Sequence, residues 1–115
     1  MLELQKIAGF EIAKLNWSQD LAFRIYSRRN KLLGLWAASH LGMDEAEAEA
    51  YAREIVGTGM QRGGNHALIH RVRQDFAAHK MQVHESAIRR EMERLMSVAA
   101  LEHGSLPDSL QSAAA

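Results

Sequence analysis

The apolar residues of this chain recur three and four positions apart. Proline occurs once, at Pro107, and no run alternates β-branched or aromatic residues with polar ones between turn signals. A half-buried strand needs a period of two, so strands are excluded and the chain reads as all-α. Four amphipathic segments joined by short connections close their apolar stripes on one core, and the expected architecture is a four-helix bundle.

Stop and start signals set the expected boundaries at about 18–41, 44–56, 66–79 and 85–103. The first helix takes Asn16 or Ser18 as N-cap, carries Asp20 in its first turn and stops at Gly42. Leu21, Ile25, Tyr26, Leu32, Leu33, Trp36 and Ala37 form its apolar arc, and Arg24, Ser27 and Lys31 point away. Arg29 falls inside that arc; a guanidinium there either snorkels outward or pairs with a carboxylate of the acidic second helix. Asp44 caps the second helix, which buries Ala48, Tyr51, Ala52 and Ile55 and ends at Gly57. Residues 57–65 hold four glycines and read as a flexible connection, after which Asn65 caps a third helix with Leu68, Ile69, Val72 and Phe76 inside. Ile88, Met92, Leu95, Met96 and Ala99 share one face of the fourth helix, which Gly104 stops. The chain is thus expected to be a single domain over residues 1–115. A mobile or helical N-terminal segment covers 1–16, the bundle 17–103 and a disordered tail 104–115.

With 115 residues the chain can build one core, large enough to stand without metals or cross-links. That suits the absence of cysteine, which removes disulfides, thiolate zinc sites and cysteine nucleophiles, and fits a reducing compartment such as the cytoplasm. The longest apolar run, residues 32–38, is far short of the roughly 18–20 needed to cross a bilayer. The first fifteen residues mix Glu3, Lys6, Glu11 and Lys14 with apolar residues and lack the pattern of a secretion signal. Fourteen basic and fourteen acidic side chains cancel, which argues against a nucleic-acid-binding domain.

Each chemical candidate has a plainer explanation. His66 and His70 stand one turn apart, the spacing of a shared metal, but no third ligand follows, Arg71 and Arg73 would repel a cation, and solvated surface histidines suffice. His40, His79, His84 and His103 lie near helix ends, where a partial positive charge suits the dipole. Gly57, Gly59, Gly63 and Gly64 with Arg62 ahead of a helix offer donors to a phosphate, and Arg29 with Arg62 is the candidate contact for ATP or ADP. The P-loop lysine pattern and a preceding strand are missing, and a linker is the default. No carboxylate pair, Ser-His-Asp order or cofactor fingerprint is present, so no catalytic residue, cofactor or metal is expected.

One stretch is more specific: Arg28-Arg29-Asn30-Lys31-Leu32-Leu33-Gly34-Leu35-Trp36-Ala37-Ala38. It resembles the central motif of the alphaproteobacterial zeta subunit, the ATPase inhibitor of the rotary F-type ATP synthase. The likeness continues through Leu41-Gly42, residues 48–56, Arg71-Val72-Arg73 to Asp75-Phe76, and Ile88-Arg89-Arg90 with Met92, spanning about residues 16–101.

The resemblance implies a cytoplasmic four-helix protein, not an enzyme, that binds the catalytic sector of the synthase and blocks ATP hydrolysis. In that family the segment ahead of the motif is the inhibitory element, ordered as a helix between catalytic subunits. Phe10-Glu11 and Lys14-Leu15 match the family's Phe-Glu and Lys-Phe with one residue more between them. Leu4, Ile7, Phe10, Glu11, Lys14 and Leu15 are therefore the expected partner contacts, and an amphipathic stripe of this kind suits a segment that folds on binding. The chain departs from the family at Asn16-Trp17-Ser18-Gln19, where an acidic run is usual, at residues 59–66, where the loop is usually acidic, and at His84, where a serine is usual. The alternative is a non-inhibitory paralogue serving as a nucleotide-sensing or protein-binding helical module.

Overall fold

A computed structural model of the chain describes residues 17–103. The expected segments 1–16 and 104–115, with Leu4, Ile7, Phe10, Glu11, Lys14 and Leu15, lie outside the described residues. Among the described residues four helices form: α1 (Gln19–His40), α2 (Glu45–Gly59), α3 (Gly64–Ala78) and α4 (Glu85–Glu102). The described part is all-α, in keeping with the four-helix bundle expected from the sequence. α1 is the central member: it packs most extensively on α2, then on α4, while α3 leans mainly on α2.

The N-termini of α1 and α2 follow local chemistry. Ser18 is extended, and its Oγ accepts from the backbone N–H of Leu21 at 3.1 Å. Asp44 and Glu47 form a reciprocal box, Glu47 N–H donating to Asp44 Oδ1 at 2.8 Å and Asp44 N–H to Glu47 Oε1 at 3.0 Å. α1 ends at Gly42, whose φ of +73° lets Met43 N–H reach back to the Ala38 carbonyl at 3.1 Å. α3 closes in the same way on Lys80, which adopts φ +61° without being glycine, while Met81 N–H bonds to the Phe76 carbonyl at 2.9 Å.

Other boundaries depart from the local signals. α2 does not stop at Gly57 but runs two residues further to Gly59. Gly57 faces open space, and Thr58 Oγ1 donates back to the Glu54 carbonyl at 3.0 Å, so the turn continues. The connection is correspondingly reduced to residues 60–63. Asn65 does not cap α3; the N-cap is Gly63, at φ +99°, and Asn65 sits in the first turn with its side chain employed elsewhere. His84 stands at the N-cap of α4 without a side-chain hydrogen bond, the end where a cation does not suit the dipole, unlike His40, His79 and His103 at C-terminal ends.

The core has two parts. The larger gathers Leu33, Ala37, Ile55, Leu68, Val72, Phe76 and Ile88 where all four helices meet. The smaller joins Ile25 of α1 to Met96, Ala99 and Ala100 of α4, with Trp17 and Leu21 packed against it. The α1–α2 crossing is close because Gly34 has no side chain: a Cβ there would stand 2.7 Å from the Ala52 Cα.

Candidate functional site

Arg28, Arg29, Asn30, Lys31 and Trp36 of the α1 motif each contact another helix. Arg28 donates through Nε to Glu102 Oε2 of α4 at 2.7 Å. That bond, ahead of the charge attraction, holds the Glu102 carboxyl below its usual range and raises the Arg28 guanidinium. Lys31 lies 3.6 Å from Glu49 of α2, so it does not simply point into solvent. Trp36 stacks edge-on against Phe76 of α3, centroids 5.8 Å apart, and against His40 at 5.0 Å.

Arg29 is the centre of the arrangement. Only 4% of it is exposed, and it neither snorkels outward nor meets a carboxylate of α2. Its Nε donates to Asn30 Oδ1 at 2.8 Å, its Nη2 to Asn65 Oδ1 of α3 at 2.7 Å, and the guanidinium lies 5.2 Å from the Tyr26 ring centroid. Two neutral amide oxygens and an aromatic face thus solvate a buried cation, a workable substitute for an ion pair. Burial pulls the Arg29 pKa down from its ordinary value, though arginine stays charged at any physiological pH.

Asn30 is clamped from the other side by α2. A Cβ on Gly59 would fall 2.2 Å from Asn30 Nδ2, and Asn30 is held by Arg29, so the last residue of α2 has to be glycine. This accounts for Gly59 alone in the glycine-rich stretch, since Gly57, Gly63 and Gly64 meet nothing within 4 Å. Arg62 is exposed in the following turn, and among the described residues no hydrogen bond or ion pair joins it to Arg29.

A second polar joint ties α2 to α3. Tyr51 Oη donates to Asp75 Oδ2 at 2.5 Å, Arg71 Nε donates to the same oxygen at 2.8 Å, and Arg71 Nη2 reaches Glu54 at 2.8 Å. Burial, reinforced by the bond to a carboxylate, pushes the Tyr51 phenol up. His66 and His70, both exposed, line an open groove of about 370 Å³ with Arg73, Gln74, Ala77 and Glu85. Among the described residues no three His, Cys, Asp or Glu side chains are placed to share a metal ion.

The sequence reading missed Asn65 as the partner of Arg29, Tyr26 as its stacking face, and the Tyr51–Asp75 bond. Only a weak signal for the last existed, since an aromatic hydroxyl on a buried stripe needs an acceptor. Fold and site together define a small all-α module whose polar residues secure helices to one another. A family model described as ATPase inhibitor subunit zeta matches residues 3–102, and the chain belongs to that family. Its family is thus one of regulatory inhibitors. No curated protein and no solved structure matches the chain. No helix among the described residues is long and apolar enough to cross a membrane.

Proposed function

We propose that this chain is a non-catalytic regulatory subunit that binds the catalytic sector of the F-type ATP synthase in the cytoplasm and blocks ATP hydrolysis with residues 1–16. The observation that carries the reading is the extent of the family match, which takes in residues 3–16 together with all four helices. In this reading the chain is one domain: 17–103 is the rigid body, 1–16 the mobile element that orders on the partner, and 104–115 a tail. Leu4, Ile7, Phe10 and Leu15 enter an apolar groove, while Glu11 and Lys14 meet charges at its rim.

The supporting physics is a division of labour. Arg28, Arg29, Asn30, Lys31 and Trp36 are occupied in holding helices together, which supports placing the inhibitory element outside the motif. The test is ATP hydrolysis by the isolated catalytic sector with the full-length chain and with a chain lacking residues 1–16. Inhibition by the full-length chain alone is the expected outcome; equal inhibition by both would remove the segment from the mechanism.

A second reading, weak ATP or ADP sensing, draws on the groove where Arg73 offers a cation and His66 and His70 offer hydrogen-bonding groups to an anion, with Glu85 also in the lining. Arg29 contributes little to it, being buried and engaged. Amide shifts at His66, His70 and Arg73 on adding ADP would support it, and unmoved amides at millimolar nucleotide would dispose of it.

A further inference from the structure

Among the described residues three large apolar side chains stand exposed: Phe23 at 58%, Met60 at 56% and Tyr26 at 37%. Their position has a structural cause. α1 has 22 residues and α2 has 15, so α1 is about 10 Å longer at 1.5 Å per residue. The two run antiparallel, with Gly34 against Ala52 and Asn30 against Gly59, so α2 ends opposite Asn30. Residues 23, 26, 30, 33 and 37 are spaced as one stripe of α1. Asn30, Leu33 and Ala37 of that stripe are buried; Tyr26 and Phe23 carry it beyond the end of α2. On the neighbouring side α4 continues to cover the helix through Ile25 and Arg28. The stripe therefore emerges from under α2 as an apolar face that no helix among the described residues covers, with Met60 following the last residue of α2.

We propose that Phe23, Tyr26 and Met60 form a second docking surface for the catalytic sector, adjoining the one assigned above to residues 1–16. This inference rests on the proposed inhibitory function. What selects this occupant is where the segment begins. Trp17, the first residue after it, lays its ring edge-on against Tyr26 with centroids 6.5 Å apart, so a partner that grips residues 1–16 is delivered to this face. Two of the arginines beside the face are paired, Arg24 with Asp20 at 2.8 Å and Arg28 with Glu102 at 2.7 Å, while Arg62, two residues after Met60, stands exposed. A face that is apolar in the middle, with two of its three neighbouring arginines already paired, fits an apolar protein groove rather than a nucleic acid or an anionic lipid surface, which call for several free cations. Aromatic side chains on a rigid helix are also the residues that dominate such contacts, because they bury much area for little lost freedom.

The test uses the full-length chain, its Phe23→Ser and Met60→Ser variants and the double variant, titrated onto the isolated catalytic sector with dissociation constant and ATP hydrolysis as readouts. Both side chains are mostly exposed, so the helical circular dichroism and melting temperature should match the parent chain, and they serve as the folding control. Tyr26 is left intact because it stacks on Arg29. The double variant is expected to bind at least tenfold more weakly, with maximal inhibition restored at saturating concentration. If the parent chain inhibits and the double variant binds equally well, this surface is overturned while the inhibitory role stands. If the parent chain itself neither binds nor inhibits, both fail together. A change of the free chain from dimer to monomer in the double variant, with binding unchanged, would assign the face to a second copy and likewise overturn the proposal.

Discussion

Gly34 of α1 lies so near Ala52 of α2 that a methyl group on Gly34 would come within 2.7 Å of the Ala52 backbone. Both helices are held elsewhere, Asn30 against Gly59 at one end and Lys31 to Glu49 at the flank, so neither is free to move aside. Gly34→Ala should therefore destabilise the domain by about 1–3 kcal/mol even though alanine is the better helix former by roughly 1 kcal/mol. Gly57, also helical but surrounded by open space, gives the opposite sign: Gly57→Ala should stabilise by about 0.5–1 kcal/mol. Thermal unfolding separates the two, at roughly 4–8 °C per kcal/mol for a domain of this size. Shifts in the same direction would contradict the close crossing.

Arg29 and Asn65 make the second testable pair. Asn65→Ala leaves one donor of a buried cation without its acceptor and should cost about 1–3 kcal/mol. Arg29→Ala adds loss of the Tyr26 stack and of the bond to Asn30, and should cost about 3–5 kcal/mol. Because both single variants break the same bond, the double variant should lose clearly less than their sum. Urea unfolding of the four proteins checks this; additive losses would show that the 2.7 Å bond carries no energy.

Two joints give opposite pH dependences. The folded-state pKa of Glu102 lies below its unfolded value, so the Arg28–Glu102 bond stabilises above that unfolded value, ordinarily 4.5, and its contribution is lost as pH falls through the folded value. Both side chains are over a third exposed, so the gain is held to about 0.5 kcal/mol or less, and Glu102→Gln should trim the acid-side loss only slightly. The Tyr51 phenol is raised, so its contribution is complete below the ordinary value of 10.0 and declines as pH rises above it towards the folded value. Tyr51→Phe should lower stability at neutral pH by about 1 kcal/mol and flatten the decline above pH 10. Denaturation midpoints across pH 3–11 read both effects, and an unchanged alkaline limb in Tyr51→Phe would count against the bond to Asp75.

The sequence made the helices legible wherever local chemistry alone sets them. Ser18 and Asp44 are caps whose side chains bond within their own first turns, so spacing suffices to find them. The end of α2 was not legible, because Gly57 and Gly59 look like stops, and only the neighbouring Asn30 shows that Gly59 is there for close approach. Asn65 misled for a related reason: the residue type that caps helices is also a neutral acceptor, and the Arg29 it serves is 36 residues away. The motif of α1 was visible as a signature, but its structural purpose needed the other three helices in place.

The serine cap of α1 has a consequence for how the chain evolves and is engineered. Ser18 is extended and its side chain closes the helix start, so the hydrogen-bond ladder of α1 begins there and is not inherited from the residues before it. Replacing Ser18 with alanine would remove that closure and cost α1 about 1 kcal/mol. The cap thus acts as an insulator: α1 sets its own starting point through chemistry inside its first turn, whatever precedes Ser18.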